Sequence, residues 1–112
     1  MIEDELLKNI KTMLKSAEMV YLSKDYTSAT ILFFKVAFGV LDIILLKTTG
    51  KTPKNHTERF RMLQNDHPDL YTFLDKFFKI YRDTYSITID KETCEQVRKS
   101  VKELITRYSI QI

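Results

Sequence analysis

The chain is 112 residues long with a net charge of +3, a length that fits one domain spanning residues 1–112 and buries enough surface to fold without a metal or disulfide staple. Its single cysteine, Cys94, excludes an internal disulfide, and the acidic start Met1–Glu5 is unlike a signal peptide, so a reducing, cytoplasmic location is expected. At 44% hydrophobic and 29% charged residues the composition excludes a disordered chain.

The first segment carries Ile2, Leu6, Ile10, Met13, Leu14, Ala17 and Tyr21 at three- and four-residue steps, with Lys8, Lys11, Lys15 and Glu18 mostly between them. This is the pattern of an amphipathic helix from Ile2 to about Leu22. Ser23-Lys24-Asp25 supplies a turn with Asp25 as a helix N-cap. From Ala29 to Leu46 the chain is apolar except for Thr30, Lys35, Gly39 and Asp42, so the second helix is expected to meet core on nearly every side. Its length approaches that of a bilayer span. Lys35 and Asp42 oppose that reading, each costing about 2.5 to 3.5 kcal/mol near a bilayer centre, and no membrane association is expected.

Ser28, Lys35 and Asp42 recur every two turns and form a polar stripe on this helix. Lys35 and Asp42 stand about 10 Å apart along the axis, too far to pair directly. The stripe is either a solvated face or the lining of a groove where both charges meet a partner.

Gly50 is placed to end the second helix at positive φ, and Pro53 keeps the helix from resuming. The junction from Lys47 to Arg61 holds Lys47, Lys51, Lys54, Arg59 and Arg61 against Glu58 alone, so the basic character of the chain is local and marks a candidate anion site. Asn55 with Glu58 three residues on reads as a capping box opening a short helix through Phe60, Met62 and Leu63. His56 is then either a packed junction residue or a phosphate contact beside Lys54 at free helix N–H groups.

Asp66 and Pro68 read as the cap and first turn of the next long helix. That helix shows one apolar stripe of Leu70, Phe73, Leu74, Phe77 and Tyr81 and a second of Tyr71, Phe78 and Tyr85. The second stripe suggests a partner beyond the intramolecular core, and a homodimer is expected from it. Tyr85–Ile89 reads as a loop ending at the cap Asp90, followed by a last helix burying Cys94, Val97, Val101, Leu104, Ile105 and Tyr108. The expected fold is all-α: an antiparallel up-and-down four-helix bundle with a short extra helix between the second and third long helices.

Gly50-Lys51-Thr52-Pro53-Lys54-Asn55-His56 resembles the G-x-x-P-x-x-H junction of HEPN domains, and Arg82-Asp83-Thr84-Tyr85 is similar to the Arg and Tyr those domains place before their last helix. The resemblance covers nearly the whole chain. It implies a dimer that binds a nucleotide or RNA, often alongside a nucleotidyltransferase partner in toxin–antitoxin or defence systems. Many members are metal-independent ribonucleases with an Arg-x4-6-His motif, in which the arginine would be Arg82. The matching histidine is missing, since residues 87 to 89 are Ile87, Thr88 and Ile89.

Without imidazole the arginine can hold a phosphate but cannot act as base, so binding without robust catalysis is the first expectation. The alternatives are a ribonuclease with a non-standard base and a pure interaction module. Arg61-x5-His67 satisfies the spacing but joins the short helix to the next, the wrong place for the motif. Candidate binding residues are Arg82, Tyr85, His56, Lys54, Lys51, Lys35 and Asp42. Arg82 is the best candidate for any catalytic role, and Tyr85 is a core residue or a stacking platform for a base. No cofactor or metal is expected, because the histidines are eleven residues apart and no second cysteine is present.

Overall fold

A computed structural model describes residues 2–112, and all regular structure among them is helical. The helices are α1 (Ile2–Leu22), α2 (Tyr26–Thr49), α3 (His56–Asp66), α4 (Pro68–Asp83) and α5 (Lys91–Arg107).

Local chemistry sets most of the boundaries. The Asp25 carboxylate accepts from the Ser28 N–H to open α2, Asn55 accepts from Glu58 to open α3, and Asp90 accepts from Thr93 to open α5. Each cap satisfies one of the N–H groups that a helix start leaves without an internal partner. Glu58 completes a variant of the capping box, accepting from the Lys54 N–H instead of from Asn55. Gly50 ends α2 at φ 78, and its N–H donates to the Leu46 carbonyl.

One expected cap is corrected. Asp66 is the last residue of α3, and His67 stands at the junction as the C-cap of α3 and the N-cap of α4 without a side-chain cap bond. The His67 ring reaches back to α2 instead, its Nε2 lying 3.0 Å from Thr48 Oγ1.

Helix α2 packs against every other helix. Phe33, Val36, Val40, Leu41, Ile43 and Leu45 on it are fully buried, joined by Ile10 and Ala17 of α1, Leu63 of α3, Leu70 and Leu74 of α4, and Val97 and Val101 of α5. By length and composition α2 could cross a bilayer, but 67% of its most apolar window is buried inside the protein. Its hydrophobicity is used as the common core of the other helices. Cys94 is buried at the start of α5, and burial pushes its thiol pKa up, which makes it a small core residue.

The second aromatic stripe of α4 is also corrected. Tyr71 and Phe78 pack on Phe60 of α3 with ring centroids 6.0 and 5.1 Å away, so an intramolecular helix covers the face read as spare. Only Tyr85, in the loop after α4, is left largely exposed.

α1 and α2 approach closely where α2 carries Gly39. A Cβ added there would lie 2.6 Å from Cγ1 of the fully buried Ile10. The missing side chain lets the two helices meet, and both residues line the hollow described next.

Candidate functional site

Asp42 and Arg59 hold the site together. Asp42 projects from an apolar helix, and Arg59 lies one turn after His56 on the face of α3 that also carries the buried Leu63. Both charges are therefore carried inward and must be paired. Arg59 Nε donates to Asp42 Oδ1 at 2.7 Å and Nη2 donates to Oδ2 at 3.0 Å, a two-point fork matching guanidinium to carboxylate. The side chains are only 10% and 14% exposed. The guanidinium carbon also lies 4.9 Å from the centroid of the Phe38 ring, over its face.

The third arm of Arg59 fixes His56. Nη1 lies 2.7 Å from His56 Nδ1. Arginine has no acceptor, so Nδ1 must be the unprotonated nitrogen, and the neutral ring carries its hydrogen on Nε2. Phe38, Phe78 and Tyr81 pack edge-on around the imidazole at 4.8, 5.4 and 5.9 Å between centroids. Burial, followed by the charges of Arg59 and Lys35, holds the pKa of His56 below its ordinary range, with Asp42 opposing. Nε2–H has no partner among the described residues and is left as a free donor.

Lys35, Asp42, His56 and Arg59 line a hollow of about 330 Å³ together with Leu6, Asn9, Ile10 and Met13 of α1 and Phe38 and Gly39 of α2. Lys35 is exposed and makes no ion pair among the described residues. With Arg59 neutralised by Asp42 and His56 neutral, the hollow carries one uncompensated positive charge and two free donors, Lys35 Nζ and His56 Nε2–H. It can hold an oxygen anion. His56 is poorly set to abstract a proton, because accepting at Nε2 would require Nδ1–H to face the Arg59 N–H.

The seven sequence candidates separate into three places. Lys35, Asp42 and His56 share this hollow, and the expectation that Lys35 and Asp42 do not pair directly agrees with Asp42 being taken by Arg59. Lys51 and Lys54 line a different hollow of about 680 Å³ across α3, with Arg61, Glu58, Asn65 and Asp66. Arg82 is exposed near the end of α4, lines neither hollow and has no side-chain partner among the described residues. It does not pair with Asp83, which instead meets Lys79 at 3.6 Å.

Tyr85 touches the site indirectly. Its hydroxyl donates to the Tyr81 hydroxyl at 3.4 Å, and Tyr81 is one of the rings against His56. Burial and this contact raise the Tyr81 pKa to about 12.

Sequence reasoning counted Arg59 only among the cations of the basic junction and Tyr81 only in an apolar stripe, and assigned neither a role beside His56. The available signal for Arg59 was its place one turn after His56 on the apolar face of α3, where a cation needs a buried acid, and Asp42 was the acid on the buried helix.

A larger hollow along α5, about 710 Å³, also holds a lysine without an ion pair among the described residues, Lys99, but Glu95 and Glu103 line it as well. Arg98 and Lys102 there are engaged by Glu18, and Arg107 by Asp69. No set of three His, Cys, Asp or Glu side chains among the described residues is placed to hold a metal.

No family model, curated protein or solved structure matches this chain.

The depressed pKa of His56 sets an expected pH response. A histidine that ionises less readily folded than unfolded favours the fold fully above its unfolded value of about 6.5 and loses that contribution as pH falls toward the lower folded value. The midpoint of thermal unfolding should therefore fall more between pH 7.5 and pH 5 for the wild type than for His56→Gln. Parallel curves would show that His56 titrates alike in both states.

Proposed function

We propose that this chain is a HEPN-like protein that holds a phosphate of a nucleotide or of RNA without robust catalysis of its own. In this reading α1, α2, α4 and α5 form the antiparallel up-and-down bundle and α3, the shortest helix, is the insertion between the second and third of them. The observation that carries the binding role is that His56, its tautomer fixed with an Nε2–H that has no partner among the described residues, lines the same hollow as Lys35. Two donors, one of them the uncompensated cation itself, suit a phosphate oxygen at neutral pH.

The test is a titration of a nucleoside monophosphate and of a short RNA against wild type, Lys35→Ala, His56→Ala and Arg82→Ala. Affinity should fall about tenfold or more in the first two variants, as expected for the loss of a charge-assisted hydrogen bond. Equal affinity in wild type and both of those variants would remove the hollow from the reading, and a loss confined to Arg82→Ala would move the site to the end of α4.

One observation favours an added role in association. Met19, Leu22, Tyr85 and Ile87 are exposed, and they lie on elements that meet at one end, where the Ile89 N–H donates to Thr27 Oγ1. A homodimer or a nucleotidyltransferase partner would dock there, with Arg82 at its edge.

A further inference from the structure

Building on the phosphate reading of the Lys35–His56 hollow, we infer that its ligand is a free nucleoside monophosphate and not a polynucleotide strand. Charge decides this first. A protein that tracks a strand meets successive phosphates with successive free cations. Here the guanidinium of Arg59 is spent on Asp42 and His56 is neutral, which leaves Lys35 as the one cation free to meet a phosphate. One phosphate group is the load that this arrangement can neutralise.

The remaining walls suit what a mononucleotide carries besides its phosphate. Leu6 and Met13 of α1 are half-buried and supply an apolar surface for a planar ring, backed by the buried Ile10 and Phe38. Asn9 lies on the same wall, is exposed and makes no side-chain hydrogen bond among the described residues. Its amide offers both a donor and an acceptor, the pairing needed to read the polar edge of a nucleobase. A hollow of about 330 Å³ lies at the lower end of the range that small-molecule sites occupy, which fits a single nucleotide.

The test compares inorganic phosphate, purine and pyrimidine nucleoside monophosphates, and a ten-residue single-stranded RNA without terminal phosphate, each titrated over a range of salt. The expected result is a nucleoside monophosphate bound about tenfold or more tighter than inorganic phosphate, through apolar packing of its base on Leu6 and Met13. Asn9→Ala should narrow that gap while leaving phosphate affinity unchanged, and Lys35→Ala should weaken both ligands.

The salt dependence should be shallow, with log K falling by about one unit or less per unit of log salt, as befits one phosphate contact. Inorganic phosphate bound as tightly as every nucleotide would overturn the inference and leave the phosphate reading standing. The RNA binding most tightly, with a steep salt slope, would also overturn it. No binding of any of the three would remove the phosphate reading and this inference together.

Discussion

Replacing Arg59 with alanine is expected to destabilise the protein by about 3–5 kcal/mol, because the Asp42 carboxylate would be left largely buried without its two donors. For a domain of this length the thermal midpoint should drop by at least about 12 °C. Asp42→Asn should also be costly, since it strands the guanidinium among Phe38 and His56.

Removing both charges is a different experiment. An Asp42→Leu/Arg59→Met pair fills the same space without an ion and should recover most of the loss, as buried ion pairs commonly contribute little net stability over a well-packed apolar substitute. Urea titration of wild type, Asp42→Leu, Arg59→Met and the double variant completes a double-mutant cycle, and additive losses would show that the two groups are not coupled. The double variant should nevertheless bind phosphate poorly, because His56 would no longer be held in the Nε2–H form. Imidazole nitrogen shifts in an NMR spectrum report that tautomer directly and do not depend on any ligand.

Phe33→Ala is expected to cost a similar amount, about 3–5 kcal/mol, for an unrelated reason. Phe33 is fully buried on α2, the helix that packs against all the others, so the space left by its ring is hard to close by moving one neighbour. The loss should appear in the denaturant midpoint with little change in slope, since the folded state keeps its outline.

Phe33 does not line the Lys35–His56 hollow. The folded fraction of this variant should therefore bind phosphate as the wild type does, so two substitutions of comparable cost are separable by function. If Phe33→Ala costs less than about 1 kcal/mol, the core around α2 is far more pliable than its burial implies.

The helices were legible because their ends are written in local chemistry. Asp25, Asn55 and Asp90 cap through side chains a few residues from the groups they satisfy, and Gly50 is at the positive φ that glycine tolerates best. Asp66 shows where such reading stops: aspartate suits a cap, but the chain continues α3 through it and turns at His67.

The arrangement of the site was less legible, since Asp42 and Arg59 are 17 residues apart across the Gly50–Pro53 junction. Nothing local in that junction states which way α3 returns over α2. The same unknown angle hid the cover over the α4 aromatics, because periodicity shows that Tyr71 and Phe78 share a face with Tyr85 but not that Phe60 lies against the first two. Lys51 and Lys54 were grouped with His56 by proximity in the chain, and the N-terminal turn of α3 sends them to the opposite hollow.

The central place of α2 has a consequence for how the protein is made. Emerging from the ribosome, this helix is complete at residue 49 while its contacts in α3, α4 and α5 are still to be synthesised. For that interval the nascent chain displays a segment whose mean hydropathy of 2.3 is that of a bilayer-crossing helix. Such a segment is prone to aggregate or to be captured by insertion machinery until its downstream neighbours arrive. Chaperone occupancy during translation should thus peak over the stretch that later becomes the driest part of the molecule.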